Sequence, residues 1–495
     1  HSQNKLTSIN KTYFRNCINH PTMATFQKQQ FETLCQKIAK GEANEVYFSN
    51  LRYGPLSEEM LDRLLLYSSK QIQRFQFNVQ LSKSMLLKLA AWIRKGNSLK
   101  HFGLEYCDES VLDFLRALDG HPPAAESLQF FFYENFIVGE NDQDVVRDFF
   151  AGNMAQSLRF GVRSELGLLE AMQQVSLLEC LLGGLADNRS LRNLELFLSS
   201  GSDVTGECLE RLLKQNNSMK CLNLVGLDRL REPFVTDFLA ALKSSCVPRE
   251  VSMSCLTREA TVSLFRGLAS ATKVQKLRVT RFDYSQEELG MLSNSLAQNS
   301  NIQKLTIDSA APATIRSLAP ALLHHKSLKS FELLTSDSEQ NGGVCHVVQE
   351  ILESNHQLVE AGFPIYSQND AKALIEMIPH LDHVKSLKIV DAAFSEPLLN
   401  ADSLLDALDK NFTIVKFEFF SPSKAINDRL ASILQRNTQL TRRQEIAESI
   451  PSLGKKPQTW PLVLSQMVKG NDWVDSAYHF SRELVMLQQL SRQTA

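Results

Sequence analysis

An apolar residue, one variable residue and a second apolar residue recur fourteen times along the chain, usually with another apolar residue three places before the first. The pairs begin with Val46/Phe48, Phe75/Phe77, Phe102/Leu104, Phe131/Tyr133 and Leu158/Phe160. They continue with Leu194/Leu196, Leu222/Leu224, Val251/Met253, Leu277/Val279 and Leu305/Ile307. Phe331/Leu333, Ala361/Phe363, Leu387/Ile389 and Phe417/Phe419 complete the series. Alternation at period two predicts a strand with one buried face. From Val46 to Phe417 the chain advances 371 residues in thirteen steps, about 28.5 per step, a period that marks a repeat architecture. The step from Leu158 to Leu194 is the longest, and an insertion around Gly161–Gly167 is expected there.

Between these strands the apolar period lengthens to that of a helix. Leu86, Leu89, Ala90 and Ile93 fall on one helical face, as do Val344, Val347, Val348 and Ile351. Ser285 followed by Glu288 has the spacing of a capping box opening the helix that carries Leu289, Leu292 and Leu296. Asn97, Asn188, Asn217, Asn299, Asn355 and Asn411 each precede a strand by a few residues. Asparagine tolerates the left-handed conformation that ends many helices, so these residues are expected to stop the helix and redirect the chain. The same recurrence accounts for the letters of glycosylation acceptors at Asn188, Asn216 and Asn411.

The stretches Asn97-Ser-Leu-Lys-His-Phe-Gly-Leu, Asn217-Ser-Met-Lys-Cys-Leu-Asn-Leu and Ser300-Asn-Ile-Gln-Lys-Leu-Thr-Ile resemble the ribonuclease-inhibitor-like class of leucine-rich repeats. The resemblance covers about residues 40–437. It implies an α/β leucine-rich-repeat solenoid, a horseshoe of about fourteen units with a parallel inner sheet, outer helices and a helical cap at each end. The family often carries Asn or Cys five residues after the first paired position; here only Cys107 fits. The expected organisation is a disordered or targeting-like segment over 1–23, an N-terminal helical cap over 24–42, the solenoid over 43–437 and a C-terminal helical cap over 438–495. Arg442, Arg443 and Trp460 to Leu464 resemble the tail of diatom-type algal leucine-rich-repeat proteins. The stretch 1–31 lacks Asp and Glu but carries Lys5, Lys11, Arg15 and Lys28. That composition is mildly like an organelle transit segment; the plainer expectation is a tail ahead of a start at Met23.

Composition narrows the function classes. Lys and Arg number 53 against 55 Asp and Glu, for a net charge of −2. A protein that grips phosphates normally carries a basic surplus, so nucleic acid is not the expected partner. Nine cysteines without a C-x-x-C pair, several inside apolar patterns, point to buried reduced thiols. Such thiols suit an intracellular, cytoplasmic setting, with organelle import as the alternative if the first segment is genuine. No apolar run reaches the length of a membrane span.

Phosphate-binding, dinucleotide, zinc-protease and nucleophile-elbow motifs are absent from the sequence, so no catalytic residue, cofactor or metal-ligand set is expected. His324 and His325 adjoin without a further ligand at useful spacing, and Cys107 near His101 lacks a third group to orient a base. The variable positions of adjacent parallel strands should stack on the inner face. That expectation gathers Phe130, Phe132, Glu134, Arg159, Glu195 and Phe197, flanked by His101 and Glu105, into a protein-binding patch rich in aromatic residues. Lys276, Arg278 and Lys304 form an expected basic cluster, and Lys388 with Lys416 another, opposed by Glu418. The function expected is a non-enzymatic scaffold, monomeric or within a hetero-complex, holding a partner protein. The alternatives are a structural subunit of a large complex and a GTPase-activating regulator of the kind found with this repeat type.

Overall fold

A computed structural model describes residues 21–453 except for 54, 69–71, 97–98, 119–122, 133–137, 163–176, 198–205, 227–247, 255–257, 270, 272, 281–283, 311, 336–344, 366, 392–399 and 419–423. The described residues contain a sheet of fourteen strands whose spatial order is their order in sequence. They are β1 (Glu45–Ser49), β2 (Arg74–Asn78), β3 (His101–Cys107), β4 (Ser127–Phe132), β5 (Ser157–Val162), β6 (Asn193–Phe197) and β7 (Cys221–Val225). There follow β8 (Glu250–Ser254), β9 (Lys276–Thr280), β10 (Lys304–Ala310), β11 (Ser330–Thr335), β12 (Glu360–Ile365), β13 (Ser386–Asp391) and β14 (Lys416–Glu418). All thirteen neighbouring pairs run parallel. Parallel neighbours require a crossover, and a helix supplies it in every connection except that between β7 and β8, which lies largely outside the described residues.

Burial follows the alternation in the sequence. In β1 Val46 and Phe48 are fully buried while Glu45 and Tyr47 are exposed, and β2 repeats the pattern with Phe75 and Phe77. The helices bring their own apolar stripes to the same core; Leu86, Leu89, Ala90 and Ile93 of the helix Lys83–Arg94 are all buried. Ser57, Ser82, Ser367 and Asn400 cap helix N-termini through their side chains, and Ser285 with Glu288 closes the expected capping box. Of the other helical stripe, Val344 lies outside the described residues, and the helix begins at Cys345.

One strand is out of phase with the sequence reading. In β4 the residues aligned with Phe102 and Leu104 are Leu128 and Phe130, and these align in turn with Leu158 and Phe160. Phe131 takes an outward position, and Tyr133 lies outside the described residues. The run Leu128 to Tyr133 offers large apolar side chains in both phases, so alternation alone does not choose between them.

The asparagines act through their side chains. Asn299 and Asn411 have φ of −88° and −93°, outside the left-handed region expected for them. Each amide reaches back one repeat: Asn299 Nδ2 donates to the Leu268 and Ala271 carbonyls at 2.6 and 3.1 Å. Its Oδ1 accepts from the Asn301 and Ile302 amides ahead of the next strand. Asn188, Asn355, Asn411 and Asn437 donate to the previous repeat in the same way. In one repeat the role belongs to Asn216, which is fully buried, and its neighbour Asn217 is exposed. Asn97 lies outside the described residues. Burial and engagement of Asn188, Asn216 and Asn411 make the structural reading of those acceptor-like triplets the right one.

At the ends, the helix Pro21–Ala39 sends Phe31, Cys35 and Ile38 into the core and ties Glu32 to Arg63 in a two-pronged ion pair. The final helix, Lys424–Leu453, runs across the boundary expected at 437. Asn437, in the middle of that helix, makes the last rung of the asparagine series. The expected tail segment Trp460 to Leu464 lies outside the described residues.

Candidate functional site

With alternate strand residues buried, the others form an open face turned away from the helices. In-register pairing sets Gln76, Gly103, Gln129, Arg159, Glu195 and Asn223 side by side from β2 to β7. A parallel row sets Phe131, Gly161 and Phe197 on β4, β5 and β6. Because Gly161 has no side chain, Phe131 and Phe197 meet across it with ring centroids 5.2 Å apart.

Arg159 lies over both rings, its guanidinium carbon 4.8 Å from the Phe197 centroid and 5.7 Å from that of Phe131. Its Nε bonds Glu195 Oε2 at 2.8 Å, and Asn223 Nδ2 donates to the other carboxylate oxygen at 2.8 Å. The guanidinium is thereby fixed by two aromatic faces and a carboxylate while its side chain stays 46% exposed. Beside this cluster Glu105 Oε1 accepts from Gln76 and Gln129, which approach each other over Gly103. The face thus presents ordered donors and acceptors whose positions are set before any partner arrives.

The sequence-derived patch is brought together only in part. Arg159, Glu195 and Phe197 are neighbours on the open face. Phe130 and Phe132 are not on it: they are 1% and 3% exposed and belong to the core. Phe130 meets Phe102, Phe149 and Phe150 edge to face, and Phe132 packs on Phe160. The physical reason is the phase of β4, which turns Phe131 outward in their place. Glu134 lies outside the described residues.

Two of the three residues of the basic cluster have acidic partners. Lys276 and Lys304 align on β9 and β10, and Lys276 bonds Glu250 at 3.0 Å. Arg278 bonds Asp308 at 2.8 Å, with Thr280 on the same oxygen. Farther along, Lys388 crosses Gly362 to reach Glu332, and Lys416 bonds Glu418. Cys107 is buried, and burial with the nearby Asp108 and Glu105 pushes its thiol far above the ordinary range, the reverse of what a thiolate nucleophile needs. Cys35, Cys180 and Cys345 are buried free thiols as well. Away from the open face, His356, Asp382 and His383 bring three metal-ligating side chains together, a grouping the sequence reading did not anticipate. His356 and His383 are one repeat apart, and that spacing was the available signal.

One parallel strand and one helix per unit, stacked in sequence order without closing, define an α/β leucine-rich-repeat solenoid. No family model matches the chain, and no curated protein matches it. Among solved structures it is similar to the tropomodulin C-terminal domain of Caenorhabditis elegans, at 13% identity and a TM-score of 0.24, over 38% of this chain and 98% of that one. It is also similar to the complex of Rad7 and Elc1 from yeast, at 13% identity and a TM-score of 0.35, over 81% of this chain and 96% of that one. Among the described residues no helix is long and apolar enough to cross a membrane.

Proposed function

We propose that this chain is a non-enzymatic scaffold that holds a partner protein on the concave, open face of a ribonuclease-inhibitor-like solenoid. The observation that carries the reading is the Arg159 cluster: an exposed guanidinium clamped by Phe131, Phe197 and Glu195. Arginine and aromatic side chains dominate binding energy at protein interfaces, and side chains already ordered lose little entropy on docking. Balanced ion pairs along the rest of the face favour a protein partner over nucleic acid. The buried free thiols suit a reducing, intracellular compartment. Residues 24–42 and 438–495 are proposed to shield the two ends of the repeat stack.

Affinity capture from native extract with the full chain and with Arg159→Glu tests this. A partner held by the parent chain and lost from the variant, with unchanged thermal unfolding, is the expected outcome. Equal capture of every partner by both proteins would sink the assignment of this patch.

A further inference from the structure

The asparagine series is interrupted at Ala271 and again at Leu381. Asn355 and Asn411 bridge to the repeats before them, but the equivalent position between them is Leu381, whose side chain has no hydrogen-bond donor. The turn that leads from the 3-10 helix Ile378–His380 into β13 therefore lacks the tie its neighbours have. His356, Asp382 and His383 gather at this break, one residue beyond Asn355 and one and two residues beyond Leu381.

Their geometry is that of ligands around a small ion. The Nδ1 atoms of His356 and His383 stand 3.4 Å apart, and His383 Nδ1 is 3.0 Å from Asp382 Oδ1. All three ligand atoms lie within 4.8 Å of one another. Two nitrogens bound tetrahedrally at about 2.0–2.1 Å from zinc lie about 3.3–3.4 Å apart, which matches the imidazole pair. Three acceptor-type atoms converging this closely repel unless a proton or a cation sits among them. A proton on His383 Nδ1 serves one neighbour well at a time, whereas an ion serves all three. The His383 ring is mostly buried, while the Asp382 carboxylate is 82% exposed and free to swing onto an ion. Two imidazoles and one carboxylate select a transition ion of the zinc type over calcium or magnesium, which prefer all-oxygen sets.

We propose that His356, Asp382 and His383 bind one zinc-type divalent ion, with water completing its shell, and that the ion staples together two repeats at a place where the asparagine series is interrupted. The ion crosses the gap that Leu381 leaves, joining the turn before β12 to the turn before β13. Protein ligands occupy three positions, so the site is open at a fourth.

The test uses the full chain stripped with a chelator and titrated with zinc sulfate, followed by calorimetry and thermal unfolding. The expected result is one saturable site that raises the unfolding midpoint. It should weaken by an order of magnitude or more in His356→Ala and in His383→Ala, each of which keeps the parent circular dichroism without metal. Cobalt as a probe should give visible bands of tetrahedral intensity in the parent and not in the variants. Zinc binding unaltered in both variants would place the metal on other histidines and overturn the proposal. Absence of micromolar binding by the parent, or binding at this site with no rise in midpoint, would overturn it equally, because an ion that prefers the folded chain must stabilise it.

Discussion

Asn216 and Asn217 are adjacent and chemically identical, yet only the first is fully buried and bonded. Its amide serves the Leu185 and Asn188 carbonyls, and its Oδ1 accepts from the Ser218 and Met219 amides. Leaving a buried polar group unpaired costs roughly 1–3 kcal/mol, so Asn216→Ala should lose at least about 2 kcal/mol of stability. Asn217→Ala should stay within about 0.5 kcal/mol of the parent chain, as exposed substitutions do. Urea midpoints of the two variants separate a buried bridge from a helix stop at the exposed residue. His325 stands at the same place in its own repeat, with Nδ1 accepting from the Ser327 and Leu328 amides, which leaves the ring proton on Nε2. Burial lowers its pKa below the ordinary 6.5, although the Asn299 and Leu296 carbonyls pull it partly back. The unfolded chain therefore binds this proton first as the pH falls. The contribution of neutral His325 is complete above about 6.5 and is lost as the pH drops toward the lower folded value. An asparagine there keeps both acceptor bonds without titrating. His325→Asn should accordingly flatten the fall in urea midpoint between pH 7.5 and 5.5 relative to the parent.

At the scale of single strands and helices, the period-two pairs announced the buried positions wherever polar residues flank them. β9 is such a case, with Lys276, Arg278 and Thr280 alternating around Leu277 and Val279. β4 was illegible for the opposite reason: Phe130, Phe131 and Phe132 are equally apolar, and only its register against β3 and β5 decides which face each one joins. The candidate site suffered most from this, since its two leading aromatics fell on the wrong side of the sheet. Gly161 and Gly362 were silent too, because a missing side chain matters only when its neighbours across the sheet are known. A Cβ at Gly161 would lie 2.4 Å from two Phe131 ring carbons, and one at Gly362 would lie 2.9 Å from Glu332 Cγ. Overpacking of this kind costs about 1–3 kcal/mol, and Gly161→Ala should also release Phe131 from beneath Arg159. The contrast between faces is open to measurement. Phe130→Ala should destabilise by about 3–5 kcal/mol through its core cavity. Arg159→Ala, with its ion pair exposed to solvent, should change stability by no more than about 1 kcal/mol while weakening partner capture. Equal destabilisation by the two would mean that Arg159 is a structural residue and the patch no recognition surface.

Across the whole molecule, every strand is hydrogen-bonded to its immediate predecessor and successor in sequence. Such a chain has no central core through which one damaged unit can unsettle all the others, and its stability is close to a sum of unit and nearest-neighbour terms. The buried asparagines belong to the nearest-neighbour part, because each spans one boundary. Asn299 joins the turn before β10 to the carbonyls of Leu268 and Ala271 before β9. Asn299→Ala should therefore raise amide exchange in β9, β10 and β11 while β1 to β3 and β13 keep the protection of the parent chain. Hydrogen exchange with peptide-level resolution reads this directly, in the regime where local opening precedes global unfolding. A uniform loss of protection over all fourteen strands would show that the sheet opens as one cooperative body. The confined loss expected here follows from the same arrangement that offers a partner one long face: repeats coupled strongly to the next and hardly at all beyond it.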